Sequence, residues 1–180
     1  MREVVFDVAQ EAGLVPSLES PHIFADDNQR PADVKVHGLF NGRDACLDVA
    51  ITNSLQPKYL HLAAVSGGSV AAKAFAHDKI LRYRNRCNDV GLDFYPMVCD
   101  AYGAWDEDAT RVFRKMGKNV ASRTAASVSQ TTFLIFQRAS CAVIRANATA
   151  LLQAYRPPQD DDLSPDVDNV LLPAGVDGFG

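Results

Sequence analysis

The chain has 180 residues, 47% of them hydrophobic, and a formal net charge of −4. This length predicts one domain around one core, and no apolar run approaches the roughly 20 residues of a membrane-spanning helix. The acids Glu3 and Asp7 near the N-terminus are not typical of a secretory signal peptide. We therefore expect no membrane span and no secretion, and a protein of the nucleus or cytoplasm.

The apolar periodicity predicts both helices and strands along residues 1–156. In chain order, we expect one helix, three strands, a second helix, a fourth strand and two more helices. The predicted helices are residues 3–13, 69–89, 106–121 and 130–155. The predicted strands are residues 15–19, 32–40, 45–52 and 94–102.

The connections contain residues that end regular structure. Asn41-Gly42 suits a tight hairpin turn between the second and third strands. Residues 53–68 include Pro57 and Gly67-Gly68, and we expect this segment to be irregular. Residues 122–129 are small and polar and are expected to link the last two helices.

This order of elements predicts an α/β fold with a mixed central sheet flanked by helices. We expect the helix at residues 69–89 to cross from the third strand to the fourth and to cover one face of the sheet. Residues 1–156 would form this domain. Residues 157–180 begin with Pro157-Pro158 and hold six aspartates and no lysine or arginine, so we expect an acidic, disordered tail.

Positive charge is clustered in the rest of the chain. Without the six tail aspartates, residues 1–158 have 16 acids against 18 basic residues, a net charge of +2. One cluster is Lys73, Lys79, Arg82, Arg84 and Arg86, and the other is Arg111, Arg114, Lys115, Lys118 and Arg123. Such clusters are typical of proteins that bind phosphate groups, although a solvated helix face would explain each cluster alone.

The cysteines show neither a disulfide pattern nor a zinc pattern. Cys46, Cys87, Cys99 and Cys141 form no CxxC pair and have no histidines at finger-like spacing. We expect them to be buried thiols in a reducing compartment.

Two aspartates, Asp33 and Asp48, lie in or beside apolar, β-branched runs that are typical of neighbouring strands. Acids on neighbouring strands can hold their carboxylates side by side, and such hard oxygen ligands suit Mg²⁺ or Mn²⁺. The pair therefore suggests a metal-dependent phosphodiesterase site. Asp33 near Arg30 and Asp48 near Arg43 could instead be ordinary strand-end or turn acids.

Three motifs in sequence order carry a family resemblance: Arg30-Pro31-Ala32-Asp33, Leu47-Asp48-Val49-Ala50 and Lys79-Ile80-Leu81-Arg82-Tyr83. They resemble the PD-(D/E)xK, or restriction-like, endonucleases, and more narrowly the C-terminal endonuclease domain of site-specific LINE-type non-LTR retrotransposons. The resemblance covers residues 1–156. It implies an αβββαβ core with a mixed sheet and extra C-terminal helices, and a Mg²⁺- or Mn²⁺-dependent endonuclease that nicks DNA.

The resemblance assigns the metal to the two acids. Asp33 and Asp48 would be catalytic and would hold the divalent cation, with the backbone carbonyl of Val49 as an extra ligand. The chain departs from the family pattern at Ala32, which separates Pro31 from Asp33.

A second departure concerns the catalytic lysine. The family's usual lysine stands two residues beyond the second acid, where this chain has Ala50. The lysine would then come from the following helix. We expect Lys79, because it forms one helical stripe with Arg82 and Arg86 at i, i+3 and i+7, and Lys73 is the second choice. Lys73, Arg82 and Arg86 are the expected substrate-binding residues.

Other interpretations of the chain stay open. A retroelement origin would make it either an excised domain, with a reverse transcriptase domain as its partner, or a stand-alone descendant. The rival functions are a catalytically inactive nucleic-acid-binding module, which would bind DNA without metal, and a protein-interaction scaffold. In the scaffold, the apolar C-terminal helices would form a homodimer.

Overall fold

The computed structural model describes residues 1–18, 32–66 and 69–155, which form an α/β fold with a four-stranded mixed sheet flanked by helices. The strands are β1 (Pro16–Leu18), β2 (Val34–Phe40), β3 (Arg43–Thr52) and β4 (Asp93–Asp100). The helices are α1 (Arg2–Glu11), α2 (Pro57–Ser66), α3 (Val70–Asp89), α4 (Glu107–Thr124) and α5 (Val128–Ala154). The predicted α/β class is confirmed.

The sheet has the order β1-β2-β3-β4, with antiparallel β1–β2 and β2–β3 pairs and a parallel β3–β4 pair. The β2–β3 hairpin turns through Asn41 and Gly42, whose φ angles of 52° and 76° are the left-handed values that a tight hairpin turn requires. The parallel pair needs a crossover, and α3 lies in that connection. The predicted turn and crossover are both confirmed.

Helices pack on both faces of the sheet. α1, α4 and α5 contribute to the main core on one face, whereas α3 packs on the other face, mainly against β4. Along β3, Leu47 and Val49 contact the main core, and Cys46 and Ala50 pack toward α3. Because side chains alternate along a strand, Asp48 lies on the α3 face.

The connections differ from the prediction in two places. The prediction that residues 53–68 are irregular is wrong, because α2 begins at Pro57. Proline is tolerated at the first position of a helix, where its missing N–H would have had no helical partner. α4 continues to Thr124, so the link to α5 is only residues 125–127.

The cysteines are all free thiols, and three of them are buried as expected. Cys141 is exposed on α5, so the prediction for that thiol is wrong. Arg30, Pro31 and the tail at residues 157–180 lie outside the described residues. Among the described helices, none is long and apolar enough to cross a membrane.

Candidate functional site

Asp48 lies at the middle of β3 and forms an ion pair with α3. The Lys79 ammonium donates a hydrogen bond to Asp48 Oδ2 across 2.6 Å. Both side chains are largely buried, with exposed fractions of 13% for Asp48 and 20% for Lys79. The structure therefore brings together two of the three residues that the sequence assigns to catalysis.

Asp33, the third of them, immediately precedes β2 and is bound to the backbone of β3. Its N–H donates to the Leu47 carbonyl at 3.0 Å, and its Oδ2 accepts from the Val49 N–H at 2.8 Å. These two bonds reach the residues on either side of Asp48. Asp33 lies close enough to Asp48 for its charge to raise the pKa of that carboxyl.

The charge state of Asp48 reflects this environment. Burial raises the pKa of the Asp48 carboxyl above its ordinary value, because a charged carboxylate loses hydration there. The hydrogen bond and charge of Lys79 oppose this by lowering the pKa, and the neighbouring charge of Asp33 raises it. Burial thus disfavours the charged form of Asp48, and the Lys79 ammonium favours it.

Asp33 and Asp48 are the acids that could contribute oxygen ligands to a hard divalent cation. Asp33 accepts the Val49 N–H and Asp48 accepts the Lys79 ammonium, each through Oδ2. Within residues 1–18, 32–66 and 69–155, no group of three or more His, Cys, Asp or Glu side chains could hold a metal. Two carboxylates suit Mg²⁺, which usually keeps several waters in its coordination shell.

The expected substrate-binding residues on α3 lie in different surroundings. Arg82 is one turn beyond Lys79, and its charge acts on Asp48 by lowering the pKa of that carboxyl, after the larger effects of burial and Lys79. Arg86 is two turns beyond Lys79, in the last turn of α3. Lys73 points elsewhere, because its Nζ lies 2.8 Å from the carboxylate of Glu107 at the start of α4.

Lys58 on α2 is a cation near the site that the sequence did not identify. Its Nζ lies 4.5 Å from the ring centroid of Tyr59 and 5.9 Å from that of Phe75. Lys79 Nζ lies 5.4 Å from the same Phe75 ring. The two ammonium groups therefore share one aromatic neighbour, and only recognition of α2 as a helix could have predicted it.

A second polar group lies on β2 and β3, near the hairpin. Asp44 Oδ2 lies 2.8 Å from His37 Nδ1 and 3.9 Å from Lys35 Nζ. The alternation of Lys35 and His37 along β2 is visible in the sequence and could have indicated this polar strip. Arg43 pairs with Asp93 at 2.8 Å, so it is not the partner of Asp48.

Comparison with known proteins gives no family assignment. No protein-family model, curated protein or solved structure significantly matches this chain. A functional interpretation therefore rests on the geometry around Asp33, Asp48 and Lys79.

Proposed function

We propose that this protein is a metal-dependent endodeoxyribonuclease that nicks DNA and derives from a retroelement. The observation that carries the proposal is the contact between Lys79 and Asp48, with Asp33 close enough for its charge to act on the Asp48 carboxyl. Hydrolysis of a phosphodiester needs a held cation and a positive group near the phosphate. Two carboxylates beside one ammonium can supply both.

The order of elements supports a restriction-like core. With α2 left out, the chain runs α1-β1-β2-β3-α3-β4, which is the αβββαβ order that the family resemblance implies. Asp33 immediately precedes the second strand of this series, Asp48 lies on the third, and Lys79 comes from the next crossover helix, α3. α4 and α5 would be the extra C-terminal helices.

Each residue has a separate chemical role in this proposal. Asp33 and Asp48 would hold Mg²⁺ or Mn²⁺, with the carbonyl of Val49 as a further oxygen ligand. When bound, such an ion polarises a phosphate and lowers the pKa of a coordinated water. Lys79 would stabilise the negative charge that develops on the phosphate oxygens, or would orient the attacking water.

The contact between Lys79 and Asp48 gives this site a stable form without a cation. A largely buried carboxylate requires a positive partner, and the Lys79 ammonium provides it at 2.6 Å. A divalent cation would take over that role and leave the ammonium able to contact a phosphate oxygen. Lys79 would therefore serve the site in both forms.

A DNA-binding module without catalysis is the second candidate. Ala50 favours it, because the position of the family's usual lysine has no functional group. The Lys79–Asp48 ion pair would then only join α3 to β3. This module would bind DNA in a salt-sensitive way and without any requirement for metal.

A supercoiled-plasmid nicking assay with a titration of Mg²⁺ and Mn²⁺ distinguishes the two candidates. We expect nicking that requires metal and that falls at least about 100-fold in Asp33→Asn and Asp48→Asn, because each removes a ligand charge. Asp78→Asn is the matched control, since Asp78 is an exposed acid beside Lys79 in sequence. Undiminished nicking by Asp48→Asn would reject the nuclease proposal, and metal-independent binding without nicking would support the module.

A further inference from the structure

The outer face of α4 carries a second cationic surface, which we call the α4 row. It consists of Arg111, Arg114, Lys115 and Lys118, at positions i, i+3, i+4 and i+7 of the helix. Residues at this spacing lie on one helix face. The opposite face of α4 is buried in the main core through Val112, Phe113 and Met116, so the orientation of the row is fixed by packing.

The α4 row lines a cleft of about 460 Å³ that also includes Phe40, Thr110 and Glu107. Phe40 is the last residue of β2, so the cleft lies between α4 and the β2–β3 hairpin. The Arg111 guanidinium stacks 4.7 Å from the Phe40 ring centroid. This contact holds Arg111 in place with its donors still available for a ligand.

The α4 row is not neutralised by acids. In the part of the chain that the structure describes, no carboxylate lies within salt-bridge distance of its four cations. Among the residues that the structure describes, Glu107 is the one acid that lines the cleft, and it pairs with Lys73 at 2.8 Å. Four positive charges without partners strongly favour a polyanionic ligand.

We propose that the α4 row binds the phosphate backbone of a nucleic acid, independently of any catalysis at Asp48. Arg111 and Lys118 are seven residues apart, or about 10 Å along the helix axis at 1.5 Å per residue. One strand of B-DNA advances about 3.4 Å along the duplex axis per nucleotide, so the row is as long as about three nucleotide steps. An open cleft with one face of cations fits a continuous backbone better than it fits an isolated anion.

The α4 row lies on the opposite side of the sheet from Asp48. α4 contributes to the main core, whereas Asp48 and Lys79 are on the α3 face. A straight duplex that is bound at the α4 row does not also occupy the surface around Asp48. The α4 row therefore binds a second segment of nucleic acid and contributes affinity without sequence specificity.

Fluorescence anisotropy with a labelled DNA duplex tests the proposal. The protein carries Asp48→Asn and a chelator is present, so the nuclease site has lost both its metal and one metal ligand. We expect Arg114→Gln/Lys118→Gln to weaken binding at least about tenfold at moderate salt, and to lower the slope of log K against log[salt] by about 1.8, or 0.9 per lost phosphate contact. The matched control is Arg123→Gln/Arg145→Gln, which removes the same charge from exposed positions outside the cleft. Equal affinity and slope for the two double variants would overturn the proposal.

Two further measurements complete the test. Circular dichroism is expected to show the same folded signal for both double variants, since all four side chains are exposed. A poly-aspartate peptide serves as an alternative polyanion. If the cleft variant loses peptide binding but keeps full duplex binding, the ligand is an acidic protein segment and the nucleic-acid proposal is wrong.

Discussion

α3 and α4 each carry a cluster of lysines and arginines, yet the two helices use these charges differently. On α3, Lys73, Lys79 and Arg84 each contact a carboxylate, at 2.8, 2.6 and 2.9 Å. On α4, the row from Arg111 to Lys118 has no acidic partner among the described residues. Similar clusters in sequence therefore have different roles in the folded chain.

The acidic partners of the α3 cations explain the difference. Lys79 pairs with Asp48 of β3, and Arg84 pairs with Asp108 in the first turn of α4. These contacts connect α3 to β3 and to α4. The α3 cluster thus contributes to the fold and places one ammonium beside Asp48, whereas the α4 row keeps its charge available for a ligand.

Replacing one cation on each helix should separate the rate of DNA cleavage from the affinity for DNA. This comparison has the largest expected effect. We expect Lys79→Ala to lower the single-turnover nicking rate at saturating DNA about 10²- to 10³-fold, the usual loss for one group that stabilises transition-state charge. Lys115→Ala should leave that rate unchanged and raise only the DNA concentration needed for saturation. Equal rate losses in the two variants would abolish the distinction between the helices.

The pH dependence of stability tests the assignment of Asp48 as a carboxylate in an unfavourable place. Burial raises the pKa of Asp48 in the folded state, so the folded protein binds more protons than the unfolded chain above pH 4 or so. The stability that the Asp48 carboxyl contributes is therefore present below its pKa in the unfolded chain. It is lost as the pH rises through the raised pKa of this carboxyl in the folded protein. We therefore expect the melting temperature of Asp48→Asn, relative to that of wild type, to be higher at neutral pH than at acid pH.

The same comparison at acid pH provides the control for this stability effect. Near pH 3 the Asp48 carboxyl is largely protonated in both states, so the melting temperature of Asp48→Asn relative to that of wild type should be lowest there. If the melting temperature of Asp48→Asn instead rose relative to wild type toward acid pH, the folded protein would favour the charged carboxylate.

The smallest expected effect concerns the ion pair between α3 and α4. Arg84→Ala should reduce the free energy of unfolding by about 0.5 to 1 kcal/mol, because the Arg84–Asp108 pair is only partly buried. Arg114→Ala should stay within about 0.5 kcal/mol of wild type, since it removes no ion pair among the described residues. Urea unfolding measures both, and a larger loss for Arg114→Ala would reverse the roles that we assign to the two helices.

Local sequence patterns predicted much of the fold. Asn41-Gly42 specifies a hairpin turn through its left-handed backbone, and the run from β3 through α3 to β4 specifies a parallel crossover. α2 was not predicted, because a proline such as Pro57 commonly ends a helix. A proline is nevertheless compatible with the first turn of a helix, where Pro57 lies.

The sequence predicted some residues of the candidate site but not the acidic partners of the α3 cations. Asp33 and Asp48 follow from strand patterns, and the stripe of Lys79 on α3 follows from helical spacing. The partners of Lys73 and Arg84 were not predictable, because Glu107 and Asp108 come from a helix that is distant in sequence. Asp100 shows the same limit, since this strand-end acid is buried and accepts a hydrogen bond from Ser54 at 2.8 Å.

The central claim is that Asp33 and Asp48 bind one divalent cation that replaces Lys79 as the partner of Asp48. Crystals grown with Mn²⁺ test it directly through the anomalous scattering of manganese. We predict an anomalous peak about 2.0 to 2.2 Å from an oxygen of each carboxylate, with Lys79 Nζ moved beyond hydrogen-bond distance of Asp48 Oδ2. No peak at the aspartates, with the 2.6 Å contact between Lys79 and Asp48 intact, would contradict the claim.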